Sequence, residues 1–335
     1  MTLRRAAIVT AVASLAVMAL LALLGVTVMP SYLAAWLSWM AFPLGALPLV
    51  MALELLGAHG WPLVAVLRRM LPLLPAGALL AVPVMLRSRS LFMRPGLPAW
   101  WVQPPFFLVR MAVLLLVWTG LALLFHRAPR GEPRRGAALA GLALHLFMGT
   151  VAALDWVMSL DPGLGSSAFG LLLMTAQAGT ALCAAVFVLA ARTQQRMLPE
   201  EVAPLVAGAL LAWVFLHFVQ YLVVWSANLP KEVAWYQARA LGLGTPAVWS
   251  CFAAAALALA LLTPSRLART PAVMASVAAM LLLAHLTEMQ WLVTPAFRGA
   301  FAAAWSDALA MAGLGGLAVF TLASLHPIGQ SDAQA

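Results

Sequence analysis

The stretch from Leu216 to Arg239 combines the end of an apolar helix with a polar turn. In that helix, five side chains recur at spacings of three, four and seven residues, which places them on one helical face. Four of the five carry polar groups; the set is His217, Gln220, Tyr221, Val224 and Asn228. Polar side chains inside a membrane helix are expensive unless they meet partners or water, so they usually face the interior of the bundle. We therefore predict that this face is the inner wall of a buried polar site.

The residue types on this face suit a quinone. A quinone head needs hydrogen-bonding groups at its two carbonyl ends and apolar or aromatic walls along its ring. His217, Gln220 and Tyr221 supply the hydrogen bonds, and Trp225 and Trp235 supply aromatic walls. The same side chains would also serve as polar contacts between helices, so both interpretations stay open.

Asp155 is an acidic residue about two-thirds of the way along the fifth predicted membrane helix. A central Asp costs about 2.5–3.5 kcal/mol on insertion scales, so an acid at this depth is a candidate functional site. Ser159 lies four residues on, on the same face, and His145 lies ten residues back. One interpretation is a proton-carrying carboxylate at the edge of a quinone or proton pathway. The other is a structural Asp that pairs with Arg110 or with a helix terminus.

Glu288 lies on the ninth predicted helix, three residues after His285. Residues at this spacing share a helical face. The two side chains could relay a proton, or they could form one satisfied pair that locks two helices together. The sequence leaves both open.

The composition indicates that this chain lies in a membrane. Its 335 residues are 64% hydrophobic and only 9% charged, against about 25% charged in an average soluble protein. The net charge of +9 does not indicate nucleic acid, because the arginines lie in short loops between apolar runs. Cys183 and Cys251 lie far apart in apolar segments and predict neither a disulfide framework nor a metal site. No C-x-x-C-H motif is present, so no covalent haem attachment is predicted.

The apolar runs predict an all-α polytopic membrane protein. Each run is near the roughly 20 residues that a helix needs to cross the hydrocarbon core. The ten predicted spans are 6–29, 31–57, 70–86, 104–126, 137–160, 166–191, 202–228, 245–263, 271–294 and 304–325. The third is the weakest because prolines interrupt it. Segment 58–69, just before it, is predicted to lie as an amphipathic helix on the cytoplasmic face of the membrane.

Basic residues predict the orientation. Twelve arginines fall on one side of the predicted spans and six basic residues on the other, with Arg110 inside a helix. The richer side is predicted to be cytoplasmic, with both termini inside and residues 326–335 as a short cytoplasmic tail. The whole chain, 1–335, is predicted to be one transmembrane domain. No loop is long enough to hold an iron–sulphur cluster, a haem or a nucleotide, so a redox role would require partner subunits.

Four sequence blocks, taken together, resemble a known family. They are PPFFLVR at 104–110, LDWVMSLDPG at 154–163, QYLVVWSANLPKEVAWYQAR at 220–239 and QWLVTP at 290–295. In this order and spacing they resemble the ActF-type membrane subunit of bacterial alternative complex III, a quinol:cytochrome c oxidoreductase. That family is similar to the NrfD-like membrane subunits of polysulfide reductases. The resemblance covers roughly Trp61 to Pro295.

The resemblance implies ten helices, arranged as two four-helix bundles and two further helices, in a bacterial inner membrane. It implies no metal in this subunit, with haem and iron–sulphur clusters confined to partners. Those partners would be an iron–sulphur subunit, a second NrfD-like subunit and c-type cytochromes, with a terminal oxidase as a further candidate. The residues in matching blocks that the resemblance implies for a proton path are Asp155, His217, Gln220 and Glu232. The second NrfD-like subunit would be the expected site of quinol oxidation.

Two other classes of function stay open. A stand-alone transporter or channel would need discontinuous helices at mid-membrane in corresponding positions of two halves. A purely structural subunit would use its polar stripe only to hold helices together.

Overall fold

The computed structural model describes residues 3–58, 60–92, 98–127, 134–193 and 195–324. Over these ranges the chain is all-α, as predicted, and contains no β-strand; an isolated bridge joins Gly242 to Phe301. Helices are expected in a membrane because each satisfies its backbone hydrogen bonds internally.

Seventeen α-helices lie in the described ranges, and a 3-10 turn at Met158–Leu160 extends the ninth. In chain order they are α1 (Leu3–Leu23), α2 (Met29–Leu55), α3 (Pro62–Met70), α4 (Leu73–Leu80), α5 (Val82–Leu86), α6 (Ser88–Phe92), α7 (Ala99–Val102), α8 (Pro104–His126), α9 (Arg135–Trp156), α10 (Phe169–Arg192), α11 (Val202–Ala227), α12 (Pro230–Ala240), α13 (Gly244–Leu262), α14 (Ser265–Ala268), α15 (Pro271–Val293), α16 (Pro295–Arg298) and α17 (Trp305–Ser324).

Nine of the described segments are long and apolar enough to cross a membrane. Six of them are single helices, and a seventh is α9 with its 3-10 extension. The other two are composite and span Pro62–Leu86 and Pro271–Arg298. A shorter apolar helix, Trp305–Thr321 within α17, corresponds to the tenth predicted span. The chain is therefore a multi-pass membrane protein.

The predicted third span, 70–86, is broken into α4 and α5, as its prolines indicated. Helix α3 is amphipathic, as predicted for segment 58–69, and its apolar side chains are buried against α2 and α10. Arg68 in its last turn donates to Glu54 at the end of α2, and its backbone oxygen lies 3.0 Å from Nδ1 of His126 at the end of α8. Helix α3 therefore lies level with the ends of those two helices, and its place on the membrane surface stays a prediction.

Helices α2 and α10 form the centre of the molecule, and 78% and 72% of their apolar windows are buried. Helices α2, α3–α5, α8 and α9 pack as one group, and α10, α11, α13 and α15 pack as a second. Helices α1 and α17 pair with each other, and α17 also packs on α2. This is the arrangement of two four-helix bundles and two further helices that the resemblance implies, although an arrangement of helices does not by itself assign a family.

Gly45 explains how closely the two central helices approach. A Cβ atom built on Gly45 of α2 would lie 1.9 Å from the backbone oxygen of Gln177 on α10. Only glycine permits this contact, and small residues are the usual means by which membrane helices approach each other.

The predicted tail at 326–335 lies outside the described residues, as do Arg94 and Arg130, two of the residues that predict the orientation.

Candidate functional site

Glu288 is the centre of a buried polar cluster between two helices. It lies on α15 and is 4% exposed. Trp213 donates a hydrogen bond from Nε1 to Oε2 of Glu288 at 2.8 Å, and Nε2 of His217 lies 2.7 Å from Oε1. On α15 itself, Nδ1 of His285 lies 3.3 Å from Oε2 of Glu288. We call these four residues, Trp213, His217, His285 and Glu288, the Glu288 cluster.

Helical spacing explains how each side of the cluster is built. Trp213 and His217 are four residues apart on α11, and His285 and Glu288 are three apart on α15, so each pair shares a face. The ring of Trp213 packs edge-on against His217, with the centroids 4.8 Å apart, and against His285, with the centroids 5.4 Å apart. These contacts fix the orientation of both imidazoles toward the carboxylate.

A glycine on the central helix α10 makes room for the cluster. A Cβ atom on Gly179 would lie 2.6 Å from Nε2 of His285, closer than a real Cβ contact allows. Any side chain at this position would displace the imidazole. The position of His285 therefore depends on α10 as well as on α15.

A small cavity of about 40 Å³ adjoins the cluster. Besides three cluster residues, its lining includes Cys251, Phe252 and Trp291. Ligand pockets usually span about 300–1,000 Å³, so this cavity is too small for a quinone ring. Its walls are almost entirely apolar.

Asp155 is paired in the way that the structural interpretation described. It is 1% exposed, and Arg110 donates to its two oxygens at 2.5 and 2.8 Å. Trp101 donates from Nε1 to the same carboxylate at 2.9 Å, and the guanidinium lies 4.0 Å from the centroid of the Trp101 ring. Ser159 donates to the backbone oxygen of Asp155, at 2.5 Å, not to its side chain. His145 is bonded elsewhere, to Trp118.

Three carboxylates in the described ranges are less than 5% exposed, and their partners distinguish them. Asp155 is paired with Arg110, and Glu54, 2% exposed, is paired with Arg68 at 3.0 Å. An arginine stays protonated in proteins, so both carboxylates face a permanent positive charge. Glu288 instead faces two imidazoles, whose ring nitrogens can either donate or accept a proton. Its cluster is the one of these three in which the carboxylate has no arginine partner.

The predicted polar stripe on α11 is divided by the structure. His217 belongs to the Glu288 cluster, whereas Gln220 accepts a hydrogen bond from the hydroxyl of Ser166, in the loop before α10. Tyr221 and Trp225 are 53% and 66% exposed, and Asn228 is also exposed. The prediction of one buried wall is therefore wrong for these last three residues.

The face is wide, and only one side of it is covered. Gln220 and Tyr221 lie about 100° apart around the helix, on opposite sides of His217, and Trp225 lies further round on the side of Tyr221. The loop before α10 covers the side of Gln220. Asn228 lies at the C-cap with a φ of 48°, outside the helical face altogether. Tyr221 instead packs edge-on against Tyr236 of α12, with the ring centroids 5.5 Å apart.

Arg239, at the end of α12, was not predicted as a site residue but is fully buried. It donates to the backbone oxygen of Leu292 at 2.8 Å and to Asp161 at 3.3 Å, and it lies over the ring of Trp235. Burial lowers the pKa of Arg239 to about 10, against the opposing effect of Asp161, so the group stays charged at neutral pH. The signal available in the sequence was its spacing of four residues from Trp235.

Trp213 was also not predicted as a site residue. It lies four residues before His217 on the same helix, which is the spacing at which an indole N–H can reach a shared acceptor.

Within the described ranges, no group of three or more His, Cys, Asp or Glu side chains is arranged to hold a metal ion.

Comparison with known proteins finds no protein family that matches this chain and no curated protein that is significantly similar to it.

Proposed function

We propose that this chain is a membrane subunit of a complex that oxidises quinol and passes the electrons to a c-type cytochrome. In this proposal the subunit carries no redox centre and contributes proton transfer at the Glu288 cluster. Its partners are an iron–sulphur subunit, a second NrfD-like membrane subunit and c-type cytochromes, in a bacterial inner membrane. A terminal oxidase would be the next acceptor of the electrons.

The proton-transfer part of the proposal rests on which side chains surround Glu288. Nε2 of His217 lies 2.7 Å from one carboxylate oxygen, and Nδ1 of His285 lies 3.3 Å from the other. A carboxylate between two imidazoles can exchange a proton with either ring over a hydrogen-bond distance.

The quinol-oxidising setting is supported by how the four resembling blocks meet in space. Arg110 of the first block binds Asp155 of the second. Asp161, also of the second block, binds Arg239 of the third, which donates to Leu292 of the fourth. Each block therefore contacts the next through an ion pair or a hydrogen bond, across 45 to 78 residues of chain. The blocks on which the resemblance rests therefore contact one another in the fold.

The experiment that tests this setting is purification of the chain from its own membrane through an affinity tag, in a mild detergent. The co-purifying proteins are identified by mass spectrometry, and haem is measured by absorption. The proposal predicts stoichiometric c-type haem, an iron–sulphur protein and quinol:cytochrome c reductase activity. A chain that purifies alone after chemical cross-linking of intact membranes, without haem, would overturn it.

The same preparation separates the other two classes of function. A single chain that moves a solute across a liposome membrane would indicate a transporter. A complete complex in which Glu288→Gln changes neither turnover nor proton release would indicate a structural subunit.

A further inference from the structure

A cleft of about 570 Å³ lies between α11 and α13, at the end of the bundle where α14 and the loop before α11 lie. This volume is within the range of about 300–1,000 Å³ that is usual for ligand pockets. Part of the lining is apolar and comes mainly from the first two turns of α11, at Ala203, Pro204 and Ala207. Another part carries polar and charged groups; these are Glu200, Thr263, Ser265, Arg266 and Arg269. We call it the Arg266 cleft.

Arg269 and Leu198 fix the two chain segments that border the polar part of the cleft. The backbone N–H of Leu198 donates to the backbone oxygen of Arg269 at 2.8 Å, and Nε of Arg269 donates to the backbone oxygen of Leu198 at 3.1 Å. Nη1 of Arg269 also donates to the carboxylate of Glu200. The loop before α11 is therefore tied to the segment that follows α14, and these contacts preorganise the cleft for a ligand.

Arg266 is the charge in this cleft that has no partner. Arg269 is balanced by Glu200, whereas the side chain of Arg266 is exposed and forms no ion pair or hydrogen bond with any described residue. The charged side chains of the lining are thus two arginines against one carboxylate. The cleft carries one uncompensated positive charge, which favours an anion.

The position of the cleft restricts the ligand further. Helix α11 begins at Val202 and α13 ends at Leu262, so the cleft lies at the ends of two membrane spans. At this level the head groups of the lipids meet the hydrocarbon core. Ala207 lies five residues into α11, about 8 Å along the helix axis, so the apolar part of the lining extends toward the hydrocarbon. A ligand that reaches both parts of the lining has a negative group joined to an apolar chain.

We propose that the Arg266 cleft binds an anionic phospholipid, with the head-group phosphate on the guanidinium of Arg266 and an acyl chain along the apolar part of α11. A guanidinium can bind a phosphate through two parallel N–H···O hydrogen bonds. The cleft lies on the predicted cytoplasmic side, and basic pockets between membrane helices on that side are typical sites for anionic head groups. A zwitterionic lipid brings its own cation, so the unpaired charge selects a lipid of net negative charge. The inference does not depend on the proposed function.

Two pairs of substitutions test the charge and the shape of the cleft. Arg266→Gln removes the unpaired charge, and the protein should fold as the wild type does because this side chain is exposed. Its matched control is Arg127→Gln, since Arg127 is also exposed, follows α8 and lies outside the cleft. Ala207→Phe fills the apolar part of the cleft. Its matched control is Ala143→Phe, because Ala143 is exposed on α9 and does not line the cleft.

The measurement is titration of the purified protein in detergent with phosphatidylglycerol or phosphatidylcholine, followed by native mass spectrometry. A photoactivatable phosphatidylglycerol locates the bound lipid. We expect Arg266→Gln to raise the Kd for phosphatidylglycerol about fivefold, as expected for one arginine near the membrane surface, and to leave phosphatidylcholine binding unchanged. The photolabel should attach to peptides of α11, α13 or α14. Ala207→Phe should abolish this labelling, and both control variants should behave as the wild type does.

Several results would overturn the inference. A wild-type Kd in Arg266→Gln, or an equal rise in Arg127→Gln, would mean that the lipid responds only to general surface charge. Labelling confined to other helices, or equal labelling of Ala207→Phe and Ala143→Phe, would place the lipid elsewhere. Inorganic phosphate alone is the remaining arm of the test. Displacement of the photolabel by millimolar inorganic phosphate would assign the cleft to a free anion instead of a lipid.

Discussion

His217 and Glu288 are 71 positions apart in the sequence, yet Nε2 of the imidazole lies 2.7 Å from Oε1 of the carboxylate. The contact joins α11 to α15 inside the second group of helices. Whether it is an ion pair depends on a proton, since a histidine is charged only when both ring nitrogens are protonated. The arginine partners of Asp155 and Glu54 impose no such condition. This difference motivates the first prediction.

Substituting His217 by Leu should destabilise the protein through the carboxylate that it leaves behind. Removing one partner of a buried pair typically costs about 3–5 kcal/mol, because the other group stays buried without compensation. The double variant His217→Leu/Glu288→Gln should recover part of that loss, since a neutral amide needs no counter-charge. Thermal unfolding of the purified protein in detergent measures both. Additive losses in the double variant would show that the two side chains do not interact.

Asp155 and Arg110 should behave as a structural pair. We expect Arg110→Leu and Asp155→Leu each to lower the free energy of unfolding by about 3–5 kcal/mol, and the double variant to be close to the wild type. Thermal unfolding checks this as well. An Asp155→Asn variant that keeps full stability but loses quinol-dependent turnover would contradict this prediction and return Asp155 to the proton path.

Gly179→Ala should disturb the Glu288 cluster from a neighbouring helix. Its Cβ would lie 2.6 Å from Nε2 of His285, so the imidazole or α10 has to move. Overpacking of this kind typically costs about 1–3 kcal/mol. The matched control is Gly120→Ala, where no atom lies within 4 Å and alanine should stabilise the helix by up to about 1 kcal/mol. Equal thermal stability of the two variants would mean that Gly179 is not required for close packing.

Arg239→Lys should loosen α12 although the charge is conserved. The guanidinium contacts Asp161, the backbone of Leu292 and the face of Trp235 at once. A lysine cannot reproduce this planar, multiple contact. Hydrogen exchange followed by mass spectrometry should show faster exchange across residues 230–240. The exposed Arg266→Lys serves as the control and should leave exchange unchanged. Protection of residues 230–240 at the wild-type level in Arg239→Lys would contradict the prediction.

The fold could be predicted from the sequence because few kinds of structure can span a membrane. Uninterrupted apolar runs predicted the spans, and prolines predicted the break between α4 and α5. The centre of the bundle could not be read in the same way. Helix α1 is more hydropathic than α2, yet only 22% of its apolar window is buried, against 78% for α2. In lipid an apolar surface is as well solvated outside as inside, so hydropathy does not indicate burial.

Only part of the site could be predicted from the sequence, for a related reason. Spacing along one helix revealed the pair of His285 and Glu288, because residues at i and i+3 must be neighbours. It could not reveal that His217 joins them, since that contact depends on how α11 and α15 pack. The predicted buried face of α11 included too many residues. Tyrosine and tryptophan side chains face lipid or a partner protein as readily as they face a protein core, so their type does not predict burial.

The most direct test of a proton-transferring Glu288 cluster is quinol-driven proton release by the intact complex in liposomes, with cytochrome c as the acceptor. We compare the wild type, Glu288→Gln and the arginine-paired control Glu54→Gln, each normalised to assembled complex. The account predicts that Glu288→Gln slows proton-coupled turnover by about a hundredfold, the lower range of what a positioned proton donor or acceptor contributes, while Glu54→Gln turns over as the wild type does. Wild-type turnover and proton release in Glu288→Gln would contradict it.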